Sequence, residues 1–429
     1  MKNKKILILV ALSFSPASYA YLDPGSGSML VSALVGLVAT VFFMLKSFYY
    51  NLINFIRSFF GLSAKSSKYD IVFYSEGKNY WNTFKPILDD FEENNFYATY
   101  LTSSKDDPGL KMEYKNIETK YIGQSDSAYA YLNLIEANIL AMTTPGLDVF
   151  QIKRSKGVKK YAYIHHAPTD GVYKTYSFDY FDIIFCSGPH QINNIKFIEN
   201  LRGIKEKLLF MSGCPYYDEL IVKRNKLNFD KNPNHDKSMS ILIAPTWDKN
   251  GLLKRFGLSL LKPLAESGYA LKIRPHPQSF IVEPQLINEL KTSLENFKNV
   301  SWDCSADNFV SLSEADILIS DMSGVIFDFA FIFEKPVITM DFEINLDGTD
   351  SNDFKQEIWE LGVLNRIGKK IEIDEIHDIS NTINYLSKNF DYYKAEIKKI
   401  KNESLFHYGN SGKTISKQLI EINSSTHDI

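Results

Sequence analysis

Two doubly wound α/β domains facing each other across a cleft, behind an N-terminal membrane segment, are the architecture this sequence predicts. Three observations carry that reading. From residue 69 to residue 225, short apolar runs alternate with stretches of helical spacing, as in a parallel sheet covered on both faces. A polar break at 225–237 interrupts the series, and a second alternating series begins at 238. Ahead of both lies a basic start followed by two uncharged apolar runs.

The bulk numbers suit this plan. The chain has 429 residues, too many for one small core. Its net charge of -3 gives no global drive toward nucleic acid. Cys186, Cys214 and Cys304 are scattered, with no spacing that suggests zinc, and a reducing compartment without a structural disulfide is expected.

The N-terminus comes first in the chain. Lys2, Lys4 and Lys5 precede the apolar run 6–14, and Ser18-Tyr19-Ala20 resembles a signal-peptidase site, so 1–20 reads as a signal peptide or a first membrane arm. The run 29–45 is near the short limit for spanning a bilayer. Lys46, Arg57, Lys65 and Lys68 follow it, whereas the loop before it carries only Asp23. This bias predicts an inner-membrane protein whose later domains face the cytoplasm. The aromatic-rich stretch 48–62 reads as a helix at the membrane surface, with an ordinary core helix as the alternative.

In the first domain, 69–225, strands are expected at 70–74, 97–101, 120–122, 138–142, 160–164, 182–186 and 207–211, and helices at 83–93, 127–136 and 191–201. In the second domain, 238–405, strands are expected at 240–244, 269–273, 300–302, 317–320 and 336–340, and closing helices at 378–386 and 393–400. A last helix, 413–422, falls in a C-terminal segment 406–429. Two such Rossmann-like domains form the architecture called GT-B.

Ligands of open parallel sheets bind at the carboxyl ends of the strands. Four loops at such ends carry reactive side chains. Ile164-His165-His166-Ala167-Pro168 follows one strand, and a histidine there can take a proton near neutral pH. Ala244-Pro245-Thr246-Trp247 can present a hydroxyl and an N–H. In Arg274-Pro275-His276-Pro277 two prolines fix the backbone, so Arg274 and His276 project from a rigid loop as donors for a phosphate. Asp321-Met322-Ser323-Gly324 opens a helix, whose first N–H groups and positive dipole end suit an anion. Asp328 sits one turn further on. Taken singly, Asp321 and Ser323 are ordinary helix caps, and Asp328 an ordinary solvated residue. The basic stretch Lys153, Arg154, Lys156, Lys159 and Lys160 reads as a solvated face or as a contact for anionic lipid or acceptor.

In this order the motifs resemble those of the CDP-glycerol glycerophosphotransferase family, which includes the teichoic acid polymerases. The likeness runs from about His165 to Asp341. That family's pattern has His-Gly-Thr-Pro, Gly-x-Pro-Arg-x-Asp, Ala-Pro-Thr-Trp, Arg-x-His-Pro and Asp-Tyr-Ser-Ser with a following Phe-Asp. This chain has His165-His166-Ala167-Pro168, Gly213-Cys214-Pro215-Tyr216-Tyr217-Asp218, Ala244 to Trp247, Arg274 to Pro277, Asp321-Met322-Ser323-Gly324 and Phe327-Asp328. His166-Ala167 replaces Gly-Thr, Tyr216 stands in place of Arg, and Gly324 replaces the second Ser.

The resemblance implies a transferase that moves glycerol phosphate, or a similar polyol phosphate, from CDP-glycerol to a hydroxyl of a membrane-linked glycan or polymer, releasing CMP. His165 and His276 are then the catalytic pair, with His165 as base. Pro245, Thr246, Arg274, His276, Asp321, Ser323, Gly324 and Asp328 hold the donor. No metal and no cofactor beyond the CDP-alcohol substrate is expected, and no nucleic acid partner. Two rivals remain: a GT-B glycosyltransferase using a nucleotide sugar, and a membrane-anchored binding protein that has lost catalysis. A screen of CDP-glycerol, CDP-ribitol and UDP-sugars separates the three.

Overall fold

The computed structural model describes residues 69–170, 174–227, 238–247, 251–305, 307–321, 323–340, 347–354 and 358–427. The segments 1–20, 29–45 and 48–62 lie outside them, as does most of the break at 225–237. Among the described residues no helix is long and apolar enough to cross a membrane.

In the first lobe the strands are β1 (Tyr69–Ser75), β2 (Ala98–Thr102), β3 (Ile117–Tyr121), β4 (Ala137–Met142), β5 (Val158–Ile164), β6 (Ile183–Cys186) and β7 (Leu208–Met211). The helices are α1 (Trp81–Glu93), α2 (Asp126–Leu132), α3 (Pro189–Arg202) and α4 (Pro215–Lys226). In the second lobe the strands are β8 (Ser240–Ile243), β9 (Ala270–Ile273), β10 (Val300–Trp302), β11 (Ile317–Ser320), β12 (Val337–Met340) and β13 (Gly368–Ile371). Its helices begin with α5 (Leu252–Phe256), α6 (Leu258–Glu266), α7 (Ser279–Val282), α8 (Pro284–Leu294) and α9 (Phe309–Glu314). They continue with α10 (Val325–Phe333), α11 (Trp359–Ile367), α12 (Ile379–Lys388) and α13 (Phe390–Ser404), and α14 (Ser411–His427) follows.

Both sheets are parallel throughout, in the orders β3-β2-β1-β4-β5-β6-β7 and β10-β9-β8-β11-β12-β13. The sequence places most of these strands within a residue or two. β3 starts earlier than expected, and α2 stops at Leu132 rather than continuing to 136. The central strands are buried along their length because helices cover both faces, which is why they read as unbroken apolar runs. α1 shows how a helix is held. Its spacing puts Phe84, Ile87, Leu88 and Phe91 on one buried face, and Phe73 of β1 meets Phe84 and Phe91 edge-on at 6.1 and 5.6 Å. Each such side chain contributes on the order of 2 kcal/mol relative to exposure.

α13 closes the second lobe, with Ile397 and Ile400 in its core and Lys401 donating to Glu334 at 2.7 Å. The chain then returns to the first lobe. α14 lies against α1, and Ile415 and Leu419 join the core of Phe84, Ile87 and Leu88. Gly412 permits this approach: a Cβ there would meet the backbone of Pro86 at under 3 Å. Its N–H donates to Asp218 at 2.7 Å.

Candidate active site

The carboxyl ends of β5, β8, β9 and β11 open on one cavity of ≈ 850 Å³. The first lobe lines it with Lys78, Asn79, Tyr80, Asn82, His166 and Tyr216. The second lobe supplies Pro245, Arg274, His276, Ser323, Gly324 and Asp328. The predicted strand-end loops are therefore brought together: Pro245, Arg274, His276, Ser323, Gly324 and Asp328 line the cavity, whereas His165, Thr246 and Asp321 do not.

On the second-lobe wall, Gly324 is the N-cap of α10 with φ -55 and ψ -23, and Ser323 N–H donates to Asp321 C=O at 2.8 Å. The N–H groups of Ile326, Phe327 and Asp328 turn back to the Ser323 and Gly324 carbonyls at 3.1–3.3 Å, which leaves those of Gly324 and Val325 as the donors that the start of α10 offers the cavity. His276 is half-buried in the same wall. Its Nδ1 accepts from Gln278 N–H at 3.2 Å, which leaves Nε2 as the protonated nitrogen of the neutral ring. Trp247 stacks on that ring at 6.3 Å. Burial lowers the His276 pKa, against an opposing pull from Asp321.

Two expected donor-binding residues are tied up within the second lobe. Arg274 is buried and gives Nη1 to Asp303 at 2.5 Å and to Ser305 at 3.1 Å, and Nη2 to the Ser305 carbonyl at 2.9 Å. Burial alone would raise the Asp303 carboxyl, but hydrogen bonds from Ser305, Ser311 and Arg274 hold it well below the usual carboxylate range. Asp321 accepts from Thr246 N–H at 2.7 Å and from Leu252 N–H at 2.9 Å, deep in the lobe. It fastens the Pro245-Thr246 turn and does not line the cavity; of that turn, Pro245 lines it. The reason is local. A carboxylate three residues ahead of the N-cap meets the loop beneath it before it meets solvent.

On the first-lobe wall, the two histidines separate. β5 alternates, sending Tyr161 and Tyr163 to one face and Ala162 and Ile164 to the other. His165 follows the tyrosines. Its ring lies 4.9 Å from Tyr163 and 5.3 Å from Phe178, it is buried, and its Nε2 has no hydrogen-bond partner. Burial, with His166 and His190 adding repulsion, holds its pKa well below the imidazole range. His166 instead lines the cavity, edge-on to Tyr80 at 5.1 Å. Burial lowers its pKa to about 4, and its Nδ1 is buried without a partner. The expected base at His165 is thus away from the cleft, and His166 occupies that place.

Asp328, expected to hold the donor, is half-buried in the cavity wall. Burial raises its carboxyl to about 7, against the hydrogen bond from Tyr216. Tyr216 approaches it at 3.4 Å from α4. The acid in the first turn of α10 is therefore largely neutral below pH 7 and does not repel an anion at the helix start. Among the described residues no group of three or more His, Cys, Asp or Glu is placed to hold a metal ion. The three cysteines are free, and the basic stretch is partly engaged in the first lobe, with Arg154 donating to Asp182 at 2.9 Å and Lys153 to the Asp148 carbonyl at 2.7 Å.

The loop after His166 is fastened by residues that sequence reading did not single out. Gln191 of α3 donates to the Thr169 carbonyl at 2.7 Å, and His190 Nε2 bonds the Pro168 carbonyl at 2.6 Å. Asp170 and Glu360 reach across the lobes: each carboxylate accepts the other's backbone N–H, at 2.8 and 3.1 Å. His190 stacks on Trp359 at 4.2 Å. No local pattern in the sequence announces such pairs, because they join segments about 190 positions apart.

Comparison with known proteins adds the following. Residues 59–358 match the family described as CDP-Glycerol:Poly(glycerophosphate) glycerophosphotransferase. The teichoic acid glycerol-phosphate primase of Bacillus subtilis (strain 168) is 26% identical over 224 residues, 52% of this chain and 52% of that protein. The match thus spans about half the length of that relative. A solved structure of the wall teichoic acid polymerase TagF shares the fold, with a TM-score of 0.54 and 18% identity over 91% of this chain and 98% of that one. UDP-GlcNAc 2-epimerase from Neisseria meningitidis also shares it, with a TM-score of 0.55 and 16% identity over 82% and 100%.

Proposed function

The chain belongs to the CDP-glycerol:poly(glycerophosphate) glycerophosphotransferase family, and from that premise we propose that its cleft transfers glycerol phosphate from CDP-glycerol to a hydroxyl of a glycan or polymer acceptor, releasing CMP. The observation that carries the reading is the pairing, in one cavity, of the α10 start with His276 on one wall and His166 on the other.

His166 takes the acceptor hydroxyl proton, and the acceptor oxygen attacks the phosphorus that bears glycerol. A new P–O bond forms there, the bond to the CMP phosphate breaks, and CMP leaves. The N–H groups of Gly324 and Val325 and the Nε2–H of His276 stabilise the charge on the transferring and departing phosphates. Burial leaves His166 neutral at pH 7 but a weak base, with its pKa lowered to about 4. A diphosphate bound opposite raises that value, so the base strengthens when the donor is in place. Arg274 and Asp321 hold the wall rather than the substrate. The apolar runs at 6–14 and 29–45 anchor the chain to the inner membrane, and the acceptor is correspondingly lipid-linked.

The test is CMP or UMP release from CDP-glycerol, CDP-ribitol and UDP-sugars offered separately. CMP from CDP-glycerol is expected. UMP from a UDP-sugar, with no CMP from either CDP-alcohol, would overturn the reading in favour of a glycosyltransferase.

A further inference from the structure

His166 belongs to the first lobe, but the second lobe has a hand on its loop. Four residues on, Asp170 is buried against Glu360 at the start of α11, which is buried too. Glu360 accepts the Asp170 N–H at 2.8 Å, and Asp170 accepts the Glu360 N–H at 3.1 Å. Asn194 of α3 donates to the second Asp170 oxygen at 2.6 Å. Beside Glu360, the Trp359 ring stacks on His190 at 4.2 Å and 11°, and the His190 Nε2–H donates to the Pro168 carbonyl at 2.6 Å. Trp359 also stacks on Phe327, in the first turn of α10, at 5.3 Å. The start of α3 is itself pressed on the second lobe. A Cβ at Gly188 would lie 1.9 Å from the Ser404 carbonyl, and the Phe406 N–H donates to the Ser187 carbonyl at 2.8 Å.

We propose that Glu360 is a positioning residue for transfer: from the second lobe it sets where His166 of the first lobe stands relative to the phosphate donors. The base and those donors sit on different lobes, so any play between the lobes changes how squarely the acceptor oxygen meets the phosphorus. A loop tied only to its own sheet would carry that play into the reaction. This loop is tied to α11, and α11 is tied to α10 through Trp359 and Phe327, so base and phosphate donors share one support. The reciprocal pair suits the task. Two bonds running in opposite directions between the same two residues resist sliding as well as separation. Burial keeps water from replacing either of them. An apolar pair would seal the contact between the lobes, but it would not fix one backbone against the other. Glu360 does not line the cavity, so it acts through the loop and touches no substrate.

This proposal rests on the transferase reading with His166 as base, and the experiment separates the two. The full chain, Glu360→Ala, Glu360→Gln, His166→Ala and the double variant of His166→Ala with Glu360→Ala are compared. CMP release from saturating CDP-glycerol is followed with octyl glucoside and octyl N-acetylglucosaminide, each with and without a terminal glycerol phosphate. The acceptor that the parent turns over fastest is then used throughout, and the CDP-glycerol Kd is measured by calorimetry. Glu360→Ala should lower kcat by ~10-fold or more, as misplacement of a reacting group does. Its CDP-glycerol Kd should stay within about twofold of the parent, because the donor-binding groups are untouched. Glu360→Gln keeps an oxygen for the Asp170 N–H and should restore most of kcat. In the His166→Ala background, Glu360→Ala should lower kcat no further, since it acts through that ring alone. If Glu360→Ala does not fold, Glu360→Leu takes its place with the same expectations. An unchanged kcat in the folded Ala or Leu variant overturns the positioning role and leaves the transferase standing. So does a loss that is as large without His166 as with it. Full kcat in His166→Ala overturns the base and this role together. No CMP from the parent with any of the four acceptors overturns both the role and the transferase reading.

Discussion

The two walls of the cleft hold their polar groups by different means. The second-lobe wall fixes them through backbone: prolines on both sides of His276, an aspartate clamped on two N–H groups, an arginine locked to its own loop. The first-lobe wall fixes an imidazole by burying it against Tyr80, at the cost of making it hard to protonate. One wall is set before the ligand arrives, apart from the Asp328 carboxyl, which burial pushes up to about 7. The other is tuned by what lies opposite. Preorganisation and responsiveness are thus divided between the lobes.

The strongest way to break this contrast is at Arg274. Arg274→Ala leaves Asp303 without its cation in a largely dry pocket and should cost about 3 kcal/mol of stability, read by urea unfolding. The Kd for CDP-glycerol of the protein that remains folded should move by only a few fold. A tenfold or greater loss of binding without loss of stability would make Arg274 a phosphate ligand after all. Next is the histidine pair. His166→Ala should lower kcat by ~10²-fold or more, whereas His165→Leu should keep most of kcat, because that ring lies in an aromatic cage. The reverse ranking would return the base to His165.

A third expectation concerns pH. Burial pushes the Asp328 carboxyl up to about 7 in the folded protein, against 3.8 for an ordinary aspartate. The native state therefore holds a proton that the unfolded state has lost between those values, and stability from this group fades as pH rises toward 7. Asp328→Asn should gain on the parent between pH 5 and pH 8 by at most about 3 kcal/mol. A constant difference across that range would show that the carboxyl is ionised throughout. His166 acts in the opposite sense. Its folded value near 4 means that stability is lost as pH falls below 6.5. The smallest effect is expected at Gly324. A Cβ there meets nothing within 4 Å and φ is -55, so Gly324→Ser should change stability by under about 0.5 kcal/mol. It should tighten CDP-glycerol by a few fold if the added hydroxyl reaches a phosphate. Weaker binding would mean that the wall needs the space.

Much of the fold was legible because buried parallel strands are written as apolar runs. β10 and β11 fall where the sequence places them. β13 was not legible. Gly368-Lys369-Lys370-Ile371 has one large apolar residue, and it is a strand because it pairs with β12, where Gly368 lies so close to the Val337 carbonyl that a Cβ would overlap it. The site was readable as a set of loops and less so as a set of atoms. Alternation along β5 says that His165 and His166 point apart. Which face meets the cleft depends on α1 and Tyr80, about 85 positions earlier. Asp321 shows the same limit from the other side. Its motif marks a helix start correctly, but its two hydrogen bonds run to a turn that the sequence leaves far away.

The return of α14 to the first lobe has a consequence for how the protein is made. The first lobe is translated early, yet the face formed by Phe84, Ile87 and Leu88 remains uncovered until Ile415 and Leu419 have left the ribosome. The lobe begun first is finished last. A premature stop between Asp328 and Ser411 would leave the cleft motifs intact on paper, while releasing a chain with an unsealed aromatic surface for quality-control proteases to find.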